Sequence, residues 1–310
     1  MKRSFGIDLG GTWIRAAVVE PSGRMGPTAV RPVCKGINPA RCADMIIDAC
    51  AEAAAGLKKP ACVEKAGIAA AGQMHPDGKT IVFSPNLKWN NVPLASLLEK
   101  RLGVPVFIEN DVNAAALGEH RFGAGRGAQN LVCIFVGTGI GGGFIIGGRL
   151  YRGASGVAAE IGHMIYKPSG PLCGCGKRGC FEAFAGGANF QRRFEAAARR
   201  SRNKRYADKT RATDVCIMAA AGDPLAVRYW NEAETAICVL SSGLVSALNP
   251  DVLVIGGSIG LGAPGLVSRV RKFVKERSVE SASAAVKIVR AQTGANAGVL
   301  GASVLGEEDV

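Results

Sequence analysis

Residues 4–19 read S-F-G-I-D-L-G-G-T-W-I-R-A-A-V-V, and residues 130–147 read N-L-V-C-I-F-V-G-T-G-I-G-G-G-F-I-I-G. Each is an apolar run, a glycine turn holding a threonine, and a second apolar run. That pattern predicts strand, turn, strand. Its recurrence suggests a duplicated α/β architecture with one ATP between its halves. In the first turn Gly10 and Gly11 let backbone N–H groups approach a phosphate closely. Thr12 adds a hydroxyl donor, Asp8 can hold a magnesium ion directly or through water, and Arg15 lies just beyond. An ordinary hairpin would need the glycines but would have no reason to combine them with Asp, Thr and Arg. Gly137, Gly139 and Gly142 match a dinucleotide fingerprint by spelling, but that fingerprint demands a helix next. Here Phe144 to Gly148 predict a strand and a hairpin instead.

The second constraint is local. Between Glu160 and Glu182 lie His163, Cys173, Cys175 and Cys180, four soft or borderline ligands within 18 residues. Three thiolates and one imidazole suit a closed tetrahedral zinc site. Gly174, Gly176 and Gly179 let the backbone turn tightly enough to gather the sulfurs. Buried free cysteines beside a core histidine are the competing explanation. The Cys-x-Cys-x4-Cys spacing with a histidine ten residues upstream favours zinc, and it is not the Cys-x-x-Cys of a redox motif. The metal is read as a clamp that holds the flanking Glu160 and Glu182, the working groups, in place.

Other segments fix the order of elements. Pro39–Leu57 predicts a helix with Met45, Ile46, Cys50 and Ala54 on one face. Ala66–Ala71 predicts a strand ending at Gly72, and the loop beyond it, to Leu87, offers Asn86 for a polar ligand contact. A helix is predicted over Pro93–Leu102. A strand over Val104–Ile108 runs into Glu109-Asn110-Asp111, and a helix follows over Val112–Arg121. Asp111 therefore sits where a strand gives way to a helix, a place where an aspartate often serves only as N-cap. A basic helix is expected over Phe190–Arg200 and a long one over Pro224–Leu248, ended by Asn249-Pro250. Asp251–Ile255 predicts a strand, and the glycines after it, Gly256 and Gly257, with Ser258, give a nucleotide base or ribose room. A last strand is expected over Ala284–Val289 and a closing helix over Gly298–Leu305.

At 310 residues the chain suits about two domains. It shows no signal-peptide pattern and no apolar run long enough to span a bilayer. Ten cysteines without a secreted framework point to the cytoplasm. Cys34, Cys42, Cys50, Cys62, Cys133, Cys216 and Cys238 read as small hydrophobic residues. Net charge is +13, and residues 191–211 carry nine Lys or Arg against Glu195 and Asp208. No nucleic-acid-binding motif accompanies that run, so a solvated basic face is expected rather than a nucleic-acid surface.

Together these motifs resemble the ROK family of bacterial sugar kinases and regulators along nearly the full length. D8-L-G-G-T-x-x-R15 resembles its first phosphate loop and G137-T-G-I-G-G-G143, with Thr138, its second. E109-N-D111 resembles its catalytic segment, and V254-I-G-G-S258 its adenosine motif. E160-I-G-H163 and C173-G-C-G-K-R-G-C180-F-E182 resemble its signature and zinc site. The resemblance implies an actin-like, hexokinase-like (ribonuclease H-like) ATPase fold, α/β, with two lobes and a central cleft. The expected lobes are residues 1–115 with 295–310, and residues 116–294. It implies Asp111 as general base, and Gly72, Asn86, Asn110, Asp111, Glu160, His163 and Glu182 around a hexose. ATP, Mg2+ and structural Zn2+ are the implied cofactors, and a homodimer the implied assembly. Within the branches, S84-P-N-L-K-W looks most like that of glucokinase, with N-acetylmannosamine and N-acetylglucosamine kinases as alternatives. Family repressors carry a winged helix before the first phosphate loop, so Asp8 at the eighth residue speaks against that role.

Overall fold

The computed structural model describes residues 2–57, 62–201, 206 and 210–307. In chain order its strands are β1 (Arg3–Leu9), β2 (Trp13–Val19), β3 (Ala29–Pro32), β4 (Val63–Ala70), β5 (Gln73–Met74), β6 (Ile81–Ser84), β7 (Trp89–Val92) and β8 (Val106–Asn110). Then come β9 (Leu131–Val136), β10 (Ile140–Ile146), β11 (Arg149–Leu150), β12 (Val252–Gly256) and β13 (Lys287–Arg290). The helices are α1 (Pro39–Ala55), α2 (Leu94–Leu102), α3 (Asp111–Phe122), α4 (Phe181–Ala185), α5 (Gly187–Ser201) and α6 (Ala212–Ala220). They continue with α7 (Pro224–Leu248), α8 (Gly257–Gly262), α9 (Leu266–Arg277), α10 (Glu280–Ala285) and α11 (Ala297–Val304).

The chain forms two compact units. The first comprises Met1–Gln129, Gly143–Ala158 and Gln292–Val310, the second Asn130–Gly142 and Ala159–Ala291. In the first unit the sheet order is β3-β2-β1-β4-β8, with β1, β4 and β8 parallel and β2 antiparallel to β1. Helix α1 starts because the Asn38 side chain accepts from Ala40 N at 2.9 Å and Pro39 presets the first turn. Its Ile46 and Cys50 are buried, as the apolar spacing predicts, and burial pushes the Cys50 thiol up to about 12. Helix α11 packs against β1, β4 and α3. It does so through glycines: a Cβ at Gly67 would lie 1.7 Å from the Ala302 carbonyl oxygen, and one at Gly301 1.6 Å from that of Ala114. Only hydrogen side chains allow backbones to approach so closely.

The second unit is built on the parallel strands β9, β12 and β13, with β12 between β9 and β13. Helix α7 has the predicted bounds. Asp223 caps it through Leu225 N and Ala226 N, and Asn249 ends it in the left-handed region at φ 43°. The hairpin expected after Phe144 forms in the first unit between β10 and β11, turning on Gly147 and Gly148.

Three expectations need correction. The loop after Gly72 holds the small antiparallel sheet β5-β6-β7. The last strand begins at Lys287, because Glu280–Ala285 is helical. Cys34 and Cys62 are exposed, whereas the other five cysteines read as apolar are buried. Part of the basic run, 202–205 and 207–209, lies outside the described residues. Within the described part Arg193 pairs with Glu232 and lies over the rings of Phe184 and Tyr229, so it serves packing. No described helix is long and apolar enough to cross a membrane.

Candidate active site

In the first unit the glycine turn between β1 and β2 closes through Gly10 N to Trp13 O at 2.9 Å. The β1–β2 register sets Asp8 opposite Arg15. Arg15 Nη1 also donates to Ala295 O at 3.3 Å, just before α11. A Cβ at Gly11 would stand 3.1 Å from Asn86 Cβ, so Asn86 packs against the turn. One at Gly298 would stand 3.2 Å from Asp8 Cγ, which places the start of α11 beside the same carboxyl. Burial, and then the charge of Asp111, raise the Asp8 carboxyl to about 6, with Arg15 opposing. Asp8, Asp111, Arg15, Asn86 and the Gly10–Gly11 turn thus share one neighbourhood.

The junction of β8 and α3 explains how Asp111 is presented. The helix is capped by Asn110, whose Oδ1 accepts from Val112 N at 2.9 Å and Asn113 N at 3.1 Å. Asp111 is the first helical residue, so the capping role open to it from the sequence belongs to its neighbour. The Asn110 Nδ2 donates to Gly72 O at 3.0 Å. Gly72 has φ +142°, and a Cβ there would lie 2.3 Å from Phe83 O, so the position demands glycine. Ser84 Oγ donates to Ala71 O at 2.7 Å, holding the start of the segment that carries Asn86. Asn110 keeps one Nδ2 hydrogen beyond its bond to Gly72.

In the second unit His163, Cys173, Cys175 and Cys180 bring one ligand atom each to within 4.8 Å of the others. Cys173 Sγ is 3.8 Å from His163 Nδ1, and Cys175 Sγ is 3.7 Å from Cys180 Sγ. A tetrahedron with Zn–S bonds of about 2.3 Å has an S···S edge of about 3.8 Å, so the donors fit zinc. The other ring nitrogen, His163 Nε2, lies 3.9 Å from Glu160 Oε2. The loop has a small aromatic core: Tyr166 stacks on Phe181 at 5.0 Å and meets Phe184 edge-on at 5.1 Å.

Cys180 immediately precedes α4, so the cluster fixes the helix that carries Glu182. Glu182 Oε2 accepts from Ile140 N at 3.0 Å, on the second glycine turn, and Cys173 Sγ lies 3.6 Å from Oε1. Gly187 N and Ala188 N, at the start of α5, donate to Gly137 O and Thr138 O, each at 2.9 Å. A Cβ at Gly139 would stand 2.3 Å from Glu182 Oε2, so a larger residue there would displace that carboxylate. Ser258 Oγ lies 3.8 Å from where a Cβ of Gly137 would be, and a Cβ at Gly257 would come within 2.4 Å of Val136 O. The second turn, the glycines at the start of α8 and the cysteine cluster therefore form one connected block.

Three charged residues with structural consequences had no individual role in the sequence reading, Glu109 entering only as part of the E109-N-D111 segment. Glu109 and Arg152 form a pair behind Asp111. Glu119 is fully buried and accepts from Gln292 N and Thr293 N at 2.9 and 2.8 Å, anchoring the segment before Ala295 and α11.

Residues 4–309 match the ROK family. The chain belongs to the ROK family. It is 35% identical over 318 residues to a glucokinase of Streptomyces coelicolor, covering 99% of this chain and 98% of that protein. It is 33% identical to an N-acetylmannosamine kinase of Vibrio cholerae, covering 89% and 90%. Among solved structures it resembles a ROK family glucokinase from Streptomyces griseus in complex with glucose and AMPPNP. That likeness has a TM-score of 0.79 at 36% identity, over 98% of each chain. The fold of this ROK protein is the actin-like, hexokinase-like α/β fold.

Proposed function

We propose that this ROK protein is an ATP-dependent hexose 6-kinase with glucose as its preferred sugar. The observation that carries the reading is the Asn110–Asp111 junction: Asn110 caps α3 and leaves Asp111 at the first helical position, electrostatically coupled to Asp8. A sugar hydroxyl holds its proton tightly. Asp111 orients the 6-hydroxyl and accepts its proton as the oxygen bonds to the γ-phosphorus and ADP leaves. General-base help of this kind is worth about 10²–10⁴ in rate. Gly10, Gly11, Thr12 and Arg15 on one turn, and Gly137, Thr138 and Gly139 on the other, supply donors to the phosphates. Gly256, Gly257 and Ser258 take the adenosine.

Mg2+ fits at Asp8, because a half-buried carboxyl raised by its burial and then by the Asp111 charge is relieved by a divalent cation. When bound, the ion neutralises phosphate charge. Zinc fits the His163, Cys173, Cys175 and Cys180 cluster and supplies rigidity rather than chemistry. With Nδ1 turned to the sulfurs, His163 Nε2 is a well-directed donor for a sugar hydroxyl. Glu160 and Glu182 accept from sugar hydroxyls and select their stereochemistry. Asn86, the remaining Asn110 donor and the Gly72 segment complete the sugar contacts. We place the enzyme in the cytoplasm from its cysteine usage, without nucleic-acid or membrane partners, and as a homodimer on its resemblance to the family.

The glucose assignment rests on the S-P-N-L-K-W segment and the glucokinase relatives. The test is kcat/KM for glucose, N-acetylmannosamine and N-acetylglucosamine in one coupled ADP assay. A missing hydrogen-bond partner shifts such ratios by as much as about 10⁴. Glucose is expected to lead. A ratio favouring either N-acetyl sugar rejects glucose and moves the assignment to that kinase class.

A further inference from the structure

Two residues before Asp111, the Glu109 side chain is 5% exposed. Its carboxylate is used on three sides. Oε1 accepts from Asn110 N at 2.9 Å and from Asn113 Nδ2 at 3.0 Å, while Oε2 accepts from Arg152 Nε at 2.7 Å. Glu109 thus grips the first turn of α3 from below, at the cap and again one turn on. Arg152 supplies the compensating charge from a segment 43 residues away in sequence.

Arg152 has a second connection. Its carbonyl accepts from Ala158 N at 3.0 Å, closing the intervening residues into a loop. The next residue, Ala159, holds φ at 64°, unusual for a side-chain-bearing residue, and Glu160 follows. One arginine therefore bonds, by its side chain, the residue two before Asp111. By its backbone it bonds the residue two before Glu160.

We propose that Arg152 is a positioning residue for phosphoryl transfer, which fixes Asp111 through Glu109. The inference rests on the kinase reading, with Asp111 as base. The pair is buried at the Glu109 carboxylate and half-exposed at the Arg152 guanidinium, and such a pair contributes little net stability. Its value here is geometric, because a displacement of about 1 Å at a reacting group can cost about 10² in rate.

The test compares Arg152→Ala, Arg152→Lys and the neutral pair Glu109→Gln with Arg152→Met in the full-length protein. Sugar and ATP kinetics, Tm and zinc content are measured for each. Arg152→Ala is expected to lower kcat about 10- to 100-fold with KM for ATP within about twofold of wild type. Arg152→Lys, whose ammonium can reach Glu109, is expected to restore most of that loss. If the unpaired Glu109 prevents Arg152→Ala from folding, the neutral double variant removes both charges and is expected to fold with the same loss in kcat. Wild-type kcat in Arg152→Ala or in the double variant overturns the proposal. So does an Arg152→Lys variant no better than Arg152→Ala, since a space-filling role would not respond to the ammonium. An active wild type with unaffected variants rejects this inference alone. A wild type that phosphorylates no hexose rejects the kinase reading and this inference with it.

Discussion

Replacing Asp8 by Asn is expected to stabilise the protein while removing its activity. Burial and the Asp111 charge raise the Asp8 carboxyl from 3.8 to about 6 in the native state. At pH 8 both native and unfolded chains carry the ionised form, and the native state bears the cost of holding it. One pKa unit corresponds to about 1.4 kcal/mol, so the full cost is about 3 kcal/mol. Asp8 is half-buried, and screening holds the expected gain to about 1–3 kcal/mol. As pH falls through about 6 the native carboxyl takes up a proton, whereas the unfolded one stays charged until about 3.8. The advantage of the variant is therefore full above about pH 7 and closes as pH falls toward about 4. Urea unfolding of wild type and variant at pH 8, 6.5 and 5, without nucleotide, measures it. Asp111→Asn removes the second cause alone and is expected to give a smaller gain of the same sign. A variant no more stable than wild type at pH 8, or a gap that does not narrow at pH 5, refutes the reasoning.

Cys175→Ala is expected to lose the zinc, about one ion per chain by elemental analysis, and to raise KM for sugar more than KM for ATP. Metal-free wild type with full activity contradicts this. Asn110→Ala is expected to cost about 1 kcal/mol in urea unfolding, the usual value of a lost N-cap, and to lower kcat by unsettling Asp111. Asn110→Asp keeps the cap but cannot donate to Gly72 O. It is expected to retain stability in urea unfolding yet raise the steady-state KM for sugar, and an unchanged KM contradicts the role given to that bond.

Much of this site was legible because its chemistry is local. Both glycine turns, the cysteine cluster and the strand running into Asp111 are written in consecutive residues. What escaped depends on distant partners. Asn and Asp are equally good caps, so Asn110-Asp111 alone could not say which of them capped α3. Glu119 sits on an alanine-rich helix like any solvated glutamate, and its partners Gln292 and Thr293 lie 173 and 174 residues away. Strands β5, β6 and β7 have two to four residues each, too few for alternation to register. Ala284 and Ala285 suit helix or strand, and only the helical turn from Glu280 decides them.

The central claim is that Asp111 takes the proton of a hexose hydroxyl during transfer from ATP. Steady-state kcat of purified Asp111→Asn against wild type, at saturating glucose and MgATP, tests it most directly. With unchanged glucose binding by calorimetry, the account predicts kcat lower by at least about 10². A variant that binds glucose and turns over at the wild-type rate contradicts it.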